Sequence, residues 1–384
     1  MSENPHLLSN EIHGTFGATL TGTGFSTRIT GLANIFPTGD PRNDYLYKRV
    51  LREYYRNLDN HGFTGFQTDA VDAGFTPSTI TGFFDPTINS LLGVTPATLL
   101  LDIFSGSLFA FSLQKINSNY SGPALKIRRT EDNVEANIAF NSSNQVDTDS
   151  SITITNGSSA ATTLGGLLTE GGNNNARVVT WYDQEGSNNA TQPTLPNQPK
   201  FATNGALITV DGKPEIQFNS SDQTSLILPE NCMSGLSALS FFNVHTPSSN
   251  ADTIFSARLG SDTTIIFENY YFNGYTWRNL KPTITISSSL PPFDQRTLHS
   301  YTTSEADDLS TIFIDGQQRF SGSVFRDAVD LNSLQVGVSP TIGGSDGDFF
   351  HNGSIAELVA YNVEQTQDLS GINDNINSRY SIYS

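Results

Sequence analysis

Residues 125–140, LKIRRTEDNVEANIAF, carry the pattern that decides the fold. Apolar and polar side chains alternate along residues 125–129 and again along 134–140, which is the period of a half-buried strand. Between the two runs stands the triplet Glu131-Asp132-Asn133, whose residue types favour tight turns. The sequence therefore predicts two antiparallel strands joined by a short hairpin.

Further segments of the chain have the same character, and Gly, Asn, Asp and Pro separate them at regular intervals. We predict strands at 178–181, 215–218, 239–245, 253–257, 263–267, 283–287, 298–303, 310–314, 333–338 and 353–361. Asp315-Gly316, between TIFI and QQRF, is the strongest hairpin turn in the chain. Short helices are expected at 96–113 and 365–380, and the polar stretch 141–159 is expected to be a surface loop. The pattern is that of a mainly β protein, an all-β sandwich.

Charge and composition exclude several classes of protein. The 384 residues have a formal net charge of −18, so a nucleic-acid binder, which needs a basic surface, is not expected. No apolar run reaches the ~18 residues of a membrane span, so we expect no membrane insertion. One Cys, Cys232, and six His without a HExxH or HxH spacing predict no disulfide framework, no metal site and no cofactor.

The first residues, MSENPHLLSNEIHG, lack the basic flank and the apolar stretch of a secretory signal. We therefore expect synthesis in a host cytoplasm. The composition nevertheless suits a protein that works outside the cell, and release inside a virus particle would reconcile the two.

The chain divides by composition into residues 1–99 and 100–384. The first region has 6 basic and 9 acidic residues, and the second has 14 and 29. The first region also repeats a Gly-Phe pair, as at Gly62-Phe63, in an otherwise irregular sequence. It is either a loop-rich segment with aromatic anchors or an arm that attaches the protein to neighbouring subunits.

One amphipathic helix is predicted in that first region, at residues 41–58, with Asp40 as its N-cap. Its apolar stripe and its basic cluster include Leu46, Arg49, Val50, Arg52 and Arg56. The cluster is either an ordinary solvated face or a docking surface for an acidic partner in an assembly.

Two stretches of the second region carry a resemblance to a known family. They are SLQKINSNYSGPALKIRRTEDNVEANIAF, residues 112–140, and VVTWYDQEGSNNATQPT, residues 178–194. In this order they resemble the catalytic-domain family of fungal α-L-arabinofuranosidase B. The matching positions are Tyr120, Ser121, Gly122, Pro123, Arg128, Arg129, Trp181, Tyr182, Asp183, Gln184, Gly186 and Asn189. The resemblance implies a concanavalin A-like two-sheet jelly-roll sandwich over residues 100–384.

Residues 350–361 look like the last strand of a laminin-G-like jelly roll, a module that also occurs without catalysis. Domains with these motifs occur in uncharacterised bacteriophage proteins, which fits the absence of a secretory signal. The resemblance therefore implies the fold more specifically than it implies an activity.

Retaining glycosidases need two carboxyl groups about 5–5.5 Å apart. Candidates in this chain are Glu215, Glu268, Asp294 and Glu357, and none of them matches a catalytic motif of the family. We therefore assign no catalytic residue from the sequence.

Other residues are candidates for binding a glycan. Tyr271, Tyr275 and Trp277 surround Asn273-Gly274 and either stack on sugar rings or fill the core of a hairpin. Trp181 and Asp183 either support a loop or contact sugar. Asp346-Gly347-Asp348 either binds Ca²⁺ or forms a turn.

These observations favour a bacteriophage virion structural protein, such as an appendage, fibre or capsid-decoration subunit. It would bind other virion proteins, form a homo-oligomer and present an outward-facing jelly roll to a host surface glycan. On this hypothesis the protein is not an enzyme. One alternative is a glycoside hydrolase acting on arabinose-containing or related surface polysaccharide, and another is a lectin-like surface protein.

Overall fold

The structure is a computed structural model, and the part of the chain that it describes begins at Leu99. The described residues are 99–230, 232–233, 235–248, 252–258, 265–271, 275–279, 283–286, 291–304, 306, 308–323, 333–339 and 349–383. They belong to one unit, Leu99–Ser384.

Strands are the predominant elements of this unit, and helices occur near its start, in its middle and at its end. The strands are β1 (Ser107–Ser112), β2 (Leu125–Arg129), β3 (Glu135–Ile138), β4 (Ile152–Asn156), β5 (Ala176–Trp181), β6 (Ala190–Thr191), β7 (Lys200–Thr203), β8 (Ala206–Leu207), β9 (Thr209–Val210), β10 (Lys213–Pro214), β11 (Ile216–Phe218), β12 (Leu226–Ile227), β13 (Ala238–Pro247), β14 (Asp252–Arg258), β15 (Ile265–Tyr271), β16 (Tyr275–Asn279), β17 (Thr283–Ile286), β18 (Thr297–Ser304), β19 (Leu309–Ile314), β20 (Gln317–Gly322), β21 (Ser333–Val336), β22 (Val338–Ser339), β23 (Phe349–Phe350) and β24 (Gly353–Tyr361). The helices are α1 (Leu100–Ile103), α2 (Leu164–Thr169) and α3 (Leu369–Tyr380), and Leu195–Asn197 forms a 3-10 turn.

Asn, Asp and Gly at the turns fix the predicted hairpins. β2 pairs with β3, and Asn133 between them has a φ of 62°. β19 pairs with β20 around Asp315 and Gly316, whose φ angles are 50° and 71°. Positive φ at both central positions is what a type I′ turn requires. Both hairpins confirm the sequence prediction.

Twenty of the described strands pair antiparallel in one continuous sheet that has two parts, while β9 with β10 and β22 with β23 form two separate two-stranded sheets. In the first part β24 pairs with β13 on one side and with β1 and β11 on the other, and β13 leads on to β18, β19 and β20. The second part runs β4–β3–β2–β5–β6–β12–β21–β14–β15–β16–β17. This architecture confirms the predicted mainly β sandwich of the jelly-roll type.

Side chains from both parts of the sheet meet in one large apolar core. The Phe109 and Phe111 rings of β1 stack with their centroids 5.2 Å apart. Phe241 of β13 lies 5.0 Å from Phe255 of β14, and Phe111 lies 5.6 Å from Trp181 of β5. Apolar burial stabilises a fold by about 25 cal/mol per Å². These buried rings therefore hold the two parts of the sheet together.

Helix α3 covers the outer face of β13 and β24. Leu369, Ile372 and Ile376 recur at a spacing of three to four residues and are buried, which gives α3 one apolar face. They join a second apolar cluster with Phe242 and Val359. The predicted terminal helix therefore forms, although it begins at Leu369 and not at residue 365.

Two local predictions are wrong. The helix predicted over 96–113 ends at Ile103 within the described residues, because Gly106 adopts a φ of 85° and Ser107–Ser112 pairs with β24. The polar stretch 141–159 contains strand β4 (Ile152–Asn156), which pairs with β3. In both places the residues form a strand because they pair with a neighbouring strand, although their local composition favours a helix or a loop.

Some predictions fall on residues that the structure does not describe. They are the Gly-Phe repeats and the amphipathic helix at 41–58, together with Asp346-Gly347-Asp348. Among the described residues, no helix is both long and apolar enough to cross a membrane.

Candidate functional site

The motif residues that carry the family resemblance hold the β5–β6 connection against β1. The Asp183 carboxylate accepts the backbone N–H groups of Ala110 at 2.9 Å, Glu185 at 3.0 Å and Asn188 at 3.1 Å. Asp183 is 1% exposed and Trp181 is fully buried. A sugar does not reach side chains enclosed in this way, so in this structure both residues support the fold.

Glu215 is the most enclosed of the four candidate carboxylates. It lies at 0% exposure immediately before β11 and accepts hydrogen bonds from Arg296 Nε at 2.7 Å and Thr246 Oγ1 at 3.0 Å. The hydroxyl of Ser354 donates to it as well. Burial raises the pKa of the Glu215 carboxyl, and the Arg296 guanidinium opposes that rise. An enclosed carboxylate in an ion pair stabilises structure and does not meet a substrate.

Glu357 of β24 is likewise enclosed, beneath α3. Its carboxylate accepts the hydroxyls of Ser112 at 2.7 Å and Tyr380 at 3.3 Å, and it forms an ion pair with Arg379 of α3. Its exposure is 1%. These contacts attach the terminal helix to the sheet, which is a structural role.

Asp294 occupies an exposed turn before β18. Its φ is 60°, and its backbone N–H donates to the carbonyl of Pro247 at 2.8 Å. A short polar residue is well suited to this left-handed conformation. Glu268 is the fourth candidate, and the structure describes its backbone position.

Glu268 lies in the middle of β15, at the register position opposite Ser256 of β14. Directly opposite positions on antiparallel strands share a face of the sheet. Position 335 of β21 is opposite Ser256 on the other side, so positions 268, 256 and 335 form a row on one face. The side chains of Phe255 and Ala257, which alternate with Ser256, lie in the apolar core. The row therefore lies on the face that is turned away from the core.

Strand β22 lies beside the same strand, β14. Ser256 is buried and donates a hydrogen bond of 2.7 Å to the carbonyl of Val338, the first residue of β22. β22 and β23 precede and follow residues 340–348, which include Asp346 and Asp348 and are not described.

The predicted aromatic hairpin exists as β15 and β16. Tyr271 pairs with Tyr275, and Asn269 pairs with Trp277. Trp277 is in turn opposite Ile284 of β17. The structure describes the backbone of these strands, so glycan stacking by Tyr271, Tyr275 and Trp277 stays a prediction.

Three histidines that the sequence analysis did not single out come together inside the sandwich. The His245 ring lies 4.5 Å from the His299 ring and 6.4 Å from the His351 ring, and all three side chains are fully buried. Burial lowers the pKa of His299 to about 3 and that of His351 to about 4. The pKa of His245 falls well below its usual value, because of burial and then because of the two neighbouring rings.

No spacing in the sequence brings these histidines together, since they lie on β13, on β18 and just before β24. Only the pairing of β13 with both β18 and β24 does so. In the described part of the chain, no group of three or more His, Cys, Asp or Glu side chains is arranged to hold a metal ion. The predicted assembly residues, Leu46, Arg49, Val50, Arg52 and Arg56, lie outside the described residues, and their role stays a prediction.

No protein family model and no curated protein match this chain. Solved structures do match. An arabinofuranosidase complexed with arabinofuranosyl-α-1,2-xylobiose aligns with a TM-score of 0.51 at 14% identity, over 72% of this chain and 64% of that chain. A GH54 α-L-arabinofuranosidase soaked with a cyclic sulfate inhibitor aligns at 0.49 and 14%, over the same shares. A Trypanosoma rangeli sialidase aligns at 0.37 and 12%, over 54% of this chain and 32% of that one.

The alignment with the arabinofuranosidase establishes the fold and corrects one expectation. This chain has a glycosidase-like β-sandwich and spans less than two thirds of the length of the arabinofuranosidase. The expectation that the protein is not an enzyme is overturned, because a solved structure that shares its fold is a glycosidase. The bacteriophage particle as its location stays a prediction from sequence.

Proposed function

We propose that residues 99–384 are the catalytic domain of a glycoside hydrolase that cleaves arabinose-containing or related surface polysaccharide. The observation that supports this is the sandwich shared with the arabinofuranosidase over 72% of the chain. The choice of arabinofuranose follows from the arabinofuranosyl-xylobiose that the matched structure holds. The outward-facing jelly roll expected from the sequence is then the part of the protein that acts on the glycan.

Glu268 is the carboxylate that we assign to the reaction. Glu215 and Glu357 are enclosed in ion pairs with Arg296 and Arg379, and Asp294 forms an exposed turn. Glu268 lies on a strand, and a side chain on a strand is held in place more rigidly than one on a loop.

The common mechanism needs two carboxyl groups. One protonates the oxygen of the departing sugar, and the other attacks the anomeric carbon or activates water. We assign attack to Glu268.

The test is hydrolysis by the purified full-length chain. 4-Nitrophenyl α-L-arabinofuranoside, the corresponding β-D-xyloside and arabinan are incubated with the protein and with a buffer blank. We expect release of 4-nitrophenol from the arabinofuranoside and of arabinose from arabinan. Protein that is folded by circular dichroism and yet releases nothing from any of the three substrates would contradict the proposed activity.

A further inference from the structure

The row of positions 335, 256 and 268 continues across the second part of the sheet as far as β3. Each further member is directly opposite the next on a neighbouring strand, and such positions share a face. Going from β3 towards Gln335, the further members are Asn137, Lys126, Thr180, Thr191 and Ile227. We call the whole set of positions the outer row, and it leads to the position of the proposed nucleophile.

The outer row lies on the side of the sheet away from the apolar core. Successive residues of a strand point to opposite faces. The core contains the residues that flank members of the row, such as Leu125, Ile127, Ala136, Ile138, Leu226 and Leu228. Thr180 and Ser256 are buried, whereas Thr191 is exposed and Ile227 is 42% exposed. The row is therefore accessible in its middle.

Two polar pairs are already formed at the β3 end of the outer row. Tyr182, which follows β5, donates its hydroxyl to Asn137 Oδ1 at 2.9 Å. Lys126 Nζ lies 2.6 Å from Glu135 Oε2, and these two side chains are 25% and 20% exposed. Asn137 and Tyr182 are half-buried. Each pair holds its members in place and leaves them within reach of solvent.

The two pairs keep hydrogen-bonding groups for a ligand. Among the described contacts, Asn137 Nδ2 and Glu135 Oε1 have no hydrogen-bond partner. An amide NH₂ donates and a carboxylate oxygen accepts, which is what a sugar hydroxyl needs because it accepts and donates at once. Binding sites for small ligands commonly combine a few such polar groups with aromatic and apolar surface. Tyr182 supplies the ring, and Ile227 supplies apolar surface farther along the row.

Charge favours a neutral sugar at this surface. Lys126 and Glu135 compensate each other in their ion pair, so this end of the row has no excess of cations. The chain as a whole has a net charge of −18 and repels an acidic polymer.

We propose that the outer row binds an extended neutral polysaccharide, and that the two polar pairs at its β3 end hold one sugar unit of it. The choice of a glycan as the partner rests on the proposed function. Strands in a sheet are about 4.8 Å apart, so the six steps from Lys126 to position 268 cover about 29 Å along the sheet. Only a polymer of several sugar units extends over that distance, so affinity increases with chain length.

The test is titration calorimetry of the full-length chain carrying Glu268→Gln, which prevents cleavage during the titration. The ligands are linear α-1,5-arabino-oligosaccharides of two and of eight units. We expect the longer ligand to bind about tenfold or more tightly than the shorter one. Asn137→Ala should weaken its binding by about fivefold, as the loss of hydrogen bonds to a neutral ligand predicts. Asn173→Ala, at an exposed position in the loop before β5, should change it less than about twofold.

A second pair of variants keeps the test decisive if Asn137→Ala fails to fold. Thr191→Glu and Thr203→Glu replace exposed threonines and change the net charge equally, but only Thr191 belongs to the outer row. We expect Thr191→Glu to weaken binding of the longer ligand by about tenfold and Thr203→Glu to change it less than about twofold.

The outcomes separate this proposal from the proposed function. Absence of binding, equal affinity for the two ligands, or equal effects of each variant and its control would overturn the outer row as a binding surface, even in a protein that hydrolyses arabinan. The expected losses in a protein that hydrolyses nothing would support the outer row and contradict only the proposed activity.

Discussion

Replacing Glu268 with Gln is expected to lower kcat on the aryl arabinofuranoside by about 10³-fold or more, which corresponds to about 4 kcal/mol of transition-state stabilisation. Gln has nearly the same shape as Glu but carries no negative charge, so it cannot attack the anomeric carbon. The measurement is the initial rate at saturating substrate, together with the melting temperature. We expect the melting temperature to stay within a few degrees of that of the unmodified protein.

Glu230→Gln is the matched control for that variant, because Glu230 is an exposed residue outside any strand. Its kcat should remain within about twofold, as is usual for a surface substitution away from the site. Equal rates for Glu268→Gln and the unmodified protein would remove Glu268 from the mechanism. A similar loss in both variants would show that the effect does not depend on the position of the carboxylate.

Acid is expected to destabilise the sandwich through His245, His299 and His351. Below pH 6.5 the unfolded chain takes up protons at these side chains, whereas the native state resists protonation because their pKa values are lowered. The free energy of unfolding therefore falls as the pH falls. At pH 5, His299 and His351 are each expected to cost about 2 kcal/mol, which is a large part of the stability of a typical domain.

Two buried carboxyls act in the opposite direction. Burial raises the pKa of Asp315 to about 6 and also raises the pKa of Glu215. The native state therefore takes up protons at these carboxyls in the same pH range, which offsets part of the loss. Comparing a histidine variant with the unmodified protein therefore separates the effect of a single histidine on acid stability from the effect of these carboxyls.

The measurement is urea unfolding at pH 7.5 and pH 5.0. In His299→Asn the loss of unfolding free energy between the two pH values should be smaller than in the unmodified protein by about 2 kcal/mol. A difference below about 0.5 kcal/mol for His299→Asn would show that the cluster does not control acid stability.

Local patterns in the sequence predict many strands and turns of this fold. Asp315-Gly316 predicts its hairpin because few residue types adopt two successive positive φ angles. The strand predicted at residues 353–361 has the same first and last residues as β24. Alternation fails for β1, since Ser107–Ser112 is buried on both faces and its sequence lacks a clear period of two.

The candidate site could be predicted only in part, because it depends on contacts between distant residues. Glu215 and Arg296 are far apart in the chain, and no motif predicts the ion pair that encloses Glu215. Glu268 is one of four candidate carboxylates in the sequence. It is selected only because the structure places the other three in ion pairs or in a turn.

The most direct test of the central claim is covalent labelling of the active-site carboxylate. The full-length protein is incubated with a cyclic sulfate that has the configuration of α-L-arabinofuranose. The nucleophile of a retaining glycosidase opens this electrophile and stays covalently attached to it. The modified peptide is then identified by mass spectrometry. We predict one adduct, on Glu268, which is lost in Glu268→Gln and retained in Glu230→Gln. No adduct under conditions that label a known arabinofuranosidase, or an adduct on another carboxylate, would contradict the account.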